Sequence, residues 1–474
     1  MSGHRTPWRL GLALASASVL AACATPPDLG RRPALATPDR LASAKSFEAP
    51  AGQWPSDAWW TAYGDPELDR LIAEGLAGSP SLAAAAARLR QAQAAAQQTR
   101  AARRPSLGAD GSVRTSRVDL SVDEAPDGLD KLVPDGLTTR ANASLRLDYQ
   151  LDFFGRNRAA FAAATSQAEA ARAEEAAARL ELSTAIALAY ADLQRLQADH
   201  AAALDIVRLR QDSEALVRQR QRRGLENDGQ ANQALSEVEG ARAEASALEG
   251  QIARTRNALA ALVGKGPDRG LEIVVPRHAT LSARGLPANA AVDLIGRRPD
   301  LAAARLRAEA AAKRIDVARA DFYPNVSLSA ALGLQTLGGG RLLYGQAGPA
   351  ISLPIFDGGR LDGAYRGARA EYDEAVALYD RALTTAFRDV ADALADQRAL
   401  TAQLGHARQA LAAAEAAHRI MRTRYHGGLV SYADTLVVEN ALAVQRRATA
   451  DLEARAFALD VALVRALGGG FVET

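Results

Sequence analysis

The sequence predicts a mainly α-helical chain carrying four β-strands, built as two copies of one unit of roughly 200 residues. Three observations carry this. With Pro80 set against Pro299, an offset of 219, ten of 26 positions are identical without a gap, and the five that are not alanine are Pro80/Pro299, Leu82/Leu301, Arg88/Arg307, Arg100/Arg319 and Pro105/Pro324. Asn157 to Arg223 contains neither proline nor glycine; as one helix it would reach roughly 100 Å. From Asn142 to Phe153 apolar and polar residues alternate strictly, the pattern of a strand with one apolar and one wet face.

Taken in order, the chain opens with Arg5 and Arg9 and then runs almost wholly apolar or small from Leu10 to Ala22. That is too short to span a bilayer as a helix, which needs roughly 20 residues, and residues 1–22 read as a signal peptide. Leu20-Ala21-Ala22-Cys23 resembles the lipobox of bacterial lipoproteins. The resemblance implies cleavage between Ala22 and Cys23 and acylation of Cys23, the one cysteine in the chain. The alternative is an ordinary signal peptide followed by a chance cysteine. Ala24 stands where an aspartate would retain a lipoprotein at the inner membrane, which favours outer-membrane sorting. Residues 23–60 form a lipidated linker. The first repeat spans 61–264, a connecting segment 265–287 and the second repeat 288–474.

Within the first repeat, Pro66 and Glu67 open a helical stretch that resumes after Ser79-Pro80 and continues to about Arg103, before Pro105 ends it. Leu107, Ala109 and Val113 mark a weaker strand, and the alternating stretch from Asn142 follows. Its counterpart in the second repeat is split between Val326–Leu334 and, after a glycine-rich turn, Ile351, Leu353 and Ile355. The second long helix runs from Leu361 to about His426. Apolar residues recur every seven places: Ile186, Leu193 and Val207 beside Leu182, Ala189, Leu196 and Ala203, then Val376, Leu383 and Val390 beside Tyr379, Ala386 and Ala393. A sustained seven-residue period is coiled-coil packing, and the many alanines allow close approach. His200 and Gln397 interrupt these rows as polar positions in a seam.

No apolar helix is available to cover a sheet, and the strands have about the 9–11 residues that cross a bilayer when tilted. Four cannot close a membrane β-barrel, since bacterial barrels have at least about eight. The barrel must then be shared between chains, because open edges are not tolerated in lipid; three chains supply twelve strands. A small sheet in a soluble domain is the competing reading. Formal net charge is +2 with aromatics at 5%, so nothing calls for nucleic acid. Gly338-Gly339-Gly340 lacks the Lys-Ser/Thr pair of a nucleotide site and reads as a loop tip, and Gly468-Gly469-Gly470 as a helix terminus. The six histidines have no spacing suited to zinc. No nucleophile elbow or acid–base pair stands out, so no enzyme, catalytic residue, metal or cofactor is expected.

Several segments resemble the wording of the TolC/OprM family of outer-membrane efflux proteins, in its lipoprotein (NodT-like) branch. They are residues 59–68 (WWTAYGDPEL), 297–301 (RRPDL), 320–324 (ADFYP), 356–360 (FDGGR) and 425–432 (YHGGLVSY). The resemblance implies a homotrimer with a twelve-strand barrel in outer-membrane lipid and a helical tunnel in the periplasm. It also implies a periplasmic adaptor (membrane fusion) protein and an inner-membrane transporter of the resistance-nodulation-division type, with passive conduction of small molecules outward. The family's constriction maps to the turns around Arg223-Gly224-Leu225 and His426-Gly427-Gly428. Tyr425 matches its tyrosine and Asp434 one of its acidic residues. The next acidic position is Val437, with Glu439 two residues further on, and the expected arginine is Val430. A ring of Asp434 carboxylates would favour cations; alternatively Asp434 is a helix-start residue favoured by the dipole. Two rival functions are a duct for type I protein secretion and a structural periplasmic coiled-coil lipoprotein.

Overall fold

The computed structural model describes residues 25–118, 136–274, 285–287, 289–337 and 340–473. The signal peptide, Ala22 and Cys23 lie outside the described residues, as do Gly338 and Gly339. The chain divides into two compact units. The first takes in the described residues up to Ala34, Arg90–Ala170 and Arg305–Leu378, and the second Leu35–Leu89, Ala171–Ala304 and Tyr379–Thr474.

The repeat is visible in element lengths. Helix α1 is Pro66–Gly78 and α2 Pro80–Ala101; strands β1 and β2 are Ser106–Val118 and Gly136–Leu151; helix α3 is Arg156–Arg222 and α4 Asp228–Leu262. The second copy runs α5 Ala290–Arg297, α6 Pro299–Ala320, β3 Asn325–Leu337, β4 Gly340–Ser352, α7 Arg360–His426 and α8 Tyr432–Ala466. Helices α2 and α6 both have 22 residues, α3 and α7 both 67, and α4 and α8 both 35.

In the first unit the strands form one antiparallel sheet in the order β1-β2-β3-β4. β2 starts at Gly136, six residues earlier than the alternation indicated, because Thr139 interrupts its apolar row. Phe153, Leu353 and Ile355 were expected in strands and lie beyond the strand ends at Leu151 and Ser352. Gly155 takes a left-handed φ of 79° just after β2, and Pro354 cannot donate to a ladder. Asp357 accepts from the amides of Gly359 (3.0 Å) and Leu361 (2.8 Å), which caps α7. Phe154 and Tyr323 stack at 4.9 Å where β2 ends and β3 begins.

The second unit holds the cores. Trp59, Leu68, Leu71 and Ile72 are buried against Ile186, Tyr190 and Leu193 of α3 and Val461 and Val464 of α8. Full burial stabilises each such side chain by about 1.5–3 kcal/mol. This explains the WWTAYGDPEL segment in purely structural terms. Gly64 adopts a left-handed φ of 64°, and Asp65 caps α1 through the Glu67 and Leu68 amides. The second carboxylate oxygen of Asp65 accepts the Tyr190 hydroxyl at 2.6 Å, and the Tyr63 hydroxyl donates to Asp460 at 2.5 Å. Arg298 likewise lies buried between Asp300 (2.7 Å), Asp389 (3.3 Å) and the Ala466 carbonyl (3.2 Å), which accounts for RRPDL. Gly468-Gly469-Gly470 follows α8 with positive φ throughout, and a Cβ on Gly468 would fall 1.9 Å from the Arg297 carbonyl oxygen.

Candidate functional site

Two features of the fold have functional geometry. The first is the sheet. Register places Ala143, Leu145, Leu147, Tyr149 and Leu151 of β2 opposite Leu334, Leu332, Ala330, Leu328 and Val326 of β3. Leu107, Ala109 and Val113 of β1 and Leu343, Ala347, Pro349 and Ile351 of β4 extend the same face. Asn142, Ser144, Arg146 and Asp148 point to the other. The apolar face is uncovered: Leu332 is 54% exposed, Leu343 70% and Ile351 72%. Both outer strands keep one unpaired edge among the described residues, and Pro349 sits on one of them, as a residue without an N–H must.

The second feature is the pair of turns between long and medium helices. The α3 turn closes with Gly224 at φ 73° and the Leu225 amide bonded to the Arg220 carbonyl at 2.9 Å. The α7 turn repeats it with Gly428 at φ 71° and Leu429 bonded to Arg424 at 2.9 Å. Both are Schellman caps that use glycine for the left-handed position. The next helix starts each time with a capping box, Asn227 with Gln230 before α4 and Ser431 with Asp434 before α8.

The expected gate residues divide three ways. Tyr425 is 2% exposed, packed with Val217, Ala231, Ala234, Tyr432 and Leu436. Its hydroxyl lies 3.3 Å from Glu226, and the Arg220 guanidinium sits over its ring at 4.9 Å. Burial raises the pKa of both tyrosines, that of Tyr432 to about 12, so they are neutral packing groups. Glu439 is 1% exposed. Its carboxylate accepts from Arg210 Nη1 at 2.6 Å and Ser213 Oγ at 2.7 Å, with His418 Nε2 at 3.8 Å and Glu237 3.8 Å from Arg210. Asp434 alone is exposed. It accepts the Ser431 hydroxyl (2.7 Å) and amide (3.0 Å), which together lower its pKa and keep it ionised. The equivalent box before α4 uses Gln230, so capping needs an acceptor at this position but not a charge. Val437 is exposed where a second acid was expected.

Sequence reasoning missed Arg210, Ser213 and His418. The signal was present: Ala203, Val207, Arg210 and Val217 follow the heptad spacing, and an arginine in an apolar seam needs a buried partner.

Residues 71–265 and 291–469 match the outer membrane efflux protein family; the chain belongs to that family, and the outer membrane is where it resides. It is 31% identical over 459 residues to the multidrug resistance outer membrane protein MdtP of Escherichia coli strain K12, covering 92% of this chain and 90% of the relative. It is 27% identical to the probable outer membrane lipoprotein SilC of Salmonella typhimurium, over 98% of this chain and 99% of that one. Among solved structures, the outer membrane protein VceC of Vibrio cholerae is 43% identical and superposes with a TM-score of 0.80. The match covers 88% of this chain and 100% of VceC.

Proposed function

We propose that the chain is the outer-membrane conduit of a tripartite efflux pump, a homotrimer that passively conducts small molecules from periplasm to exterior. The observation that carries this is the uncovered sheet. Its apolar face suits lipid and its polar face suits an aqueous lumen. Unpaired edges are not tolerated in a bilayer and four strands are too few for a barrel, so three copies closing twelve strands satisfies both demands. The long helices continue the conduit as a periplasmic tunnel whose capped turns meet an adaptor protein and an inner-membrane transporter of the resistance-nodulation-division type. A ring of Asp434 side chains at those turns sets ion preference.

Cys23 carries the lipid as a second tether. The segment after it is held on α7, where Arg369 donates to the carbonyls of Gly30 (3.2 Å) and Arg31 (2.6 Å) and Tyr372 to that of Pro33 (2.9 Å). Arg369 lies nine residues into α7, roughly 14 Å along its axis. The seven residues from Cys23 to Gly30 reach roughly 23 Å when extended, enough to return to the level of the strand ends.

Purified protein reconstituted in planar bilayers tests the proposal. Cross-linked trimers with discrete conductance steps are expected. Trimers that insert and carry no current overturn it.

A further inference from the structure

On the polar face of the sheet, Arg114 of β1 and Arg140 of β2 are directly opposite each other in register. Such pairs bring Cβ atoms to about 5 Å, and like charges there are destabilising. Arg146, lower on the same face, has carboxylates at neighbouring register positions. Asp110 is its diagonal neighbour across the ladder, and Asp148 follows it on the strand. Arg114 and Arg140 have no such relief. Their neighbours on this face are Ser112, Ser116, Thr138 and Asn142, and no carboxylate among the described residues pairs with either guanidinium. Beside them Tyr344 of β4 lies flat over Gly333, where a Cβ would come within 2.3 Å of the ring, and its hydroxyl donates to Asn142 at 3.4 Å. Two forked cations are thus bordered on their own strands by neutral hydroxyl and amide groups, with Gln335 of β3 and Leu342 of β4 further across the same face.

We infer that Arg114 and Arg140 form an oxyanion-binding girdle on this face, taking small molecules that carry phosphate or closely spaced carboxylate groups. Guanidinium forks match these groups bidentately. A bound oxyanion also relieves the repulsion between the two side chains. Resting on the proposal that this face lines the conduit, the inference gives the outer section a preference for anionic solutes, opposite in sign to the Asp434 ring. Two guanidinium groups from every protomer would stand at one level of the lumen.

Tripolyphosphate is the probe, applied to wild-type trimers and to R114E, R140Q and R146Q. R114E turns the like-charge pair into a cross-strand ion pair, so it is expected to fold at least as stably as wild type. Tripolyphosphate should block wild-type current in a salt-sensitive way and raise the thermal stability of trimers in detergent. R114E and R140Q should each raise the blocking concentration about tenfold or more and lose the thermal shift, while R146Q changes neither. The sequence at 119–135 carries six acidic residues and one lysine, so the readout is the difference between variants and not the sign of wild-type selectivity. Wild-type trimers that carry no current overturn the conduit, while the thermal shift still decides the girdle. Block and thermal shift that survive in R114E and R140Q, or are lost equally in R146Q, overturn the girdle alone.

Discussion

Replacing Glu439 with alanine should loosen the helical hairpins next to their turns. The side chain accepts two short hydrogen bonds, and the Arg210 that would be left behind is 3% exposed. Breaking a buried pair by removing one partner costs about 3–5 kcal/mol, because the remaining charge stays buried. Glu237, 3.8 Å from Arg210, offsets part of this, which places the cost near the lower end, about 3 kcal/mol. An outer-membrane channel has no simple two-state unfolding, so the assay is local. Amide hydrogen exchange across 206–217 and 432–442 should accelerate about 100-fold, the equivalent of about 3 kcal/mol. Protease cutting at the two turns should rise in parallel. The paired change Arg210→Met with Glu439→Leu removes both charges and should recover most of the protection. Unchanged exchange in Glu439→Ala would refute the buried-pair account, as would a double variant no better than the single.

Burial holds the His418 imidazole below its ordinary pKa of 6.5; Glu439 opposes this and Arg422 and Arg446 reinforce it. Below about pH 6.5 the opened state therefore binds more protons than the closed one, so hairpin stability is full above that pH and falls as acid is added. Exchange corrected for its intrinsic rate should rise in the same segments between about pH 7 and 5, and His418→Gln should flatten the dependence. Asp434→Asn keeps the capping acceptor and removes the charge, so it should weaken block by divalent cations in planar bilayers without loosening α8; identical block would show that Asp434 only caps. Cys23→Ala should reduce delivery to the outer membrane on fractionation while assembled trimers conduct normally, and assembled trimers that do not conduct would contradict that division.

Helix boundaries were legible because proline and glycine punctuate them. Pro80, Pro299, Gly224 and Gly428 mark ends within a residue or two, since a missing donor and a left-handed φ are properties of single residues. Strand extents were less legible. β4 begins at Gly340, but Gly345, Gly348 and Pro349 dilute its alternation, and an edge strand tolerates them because one side of its ladder is unpaired. The places of Tyr425 and Asp434 beside the second turn followed from the family resemblance. The burial of Tyr425 and Glu439 could not be read from spacing, because it depends on Val217, Arg210 and Ser213, which are some 200 residues away in sequence. Register hid the Arg114–Arg140 pair for the same reason: it exists only once two strands are aligned.

The two-faced wall is tested most directly by single cysteines placed in turn at 142–149 of β2 and 327–334 of β3, in protein reconstituted into vesicles. The account predicts that a membrane-impermeant thiol reagent labels 142, 144, 146 and 148 with 327, 329, 331 and 333. The intervening positions should stay protected and react only with a lipid-soluble reagent. Labelling without a two-residue period, or with both faces equally open to the impermeant reagent, would contradict a sheet that separates lipid from an aqueous lumen.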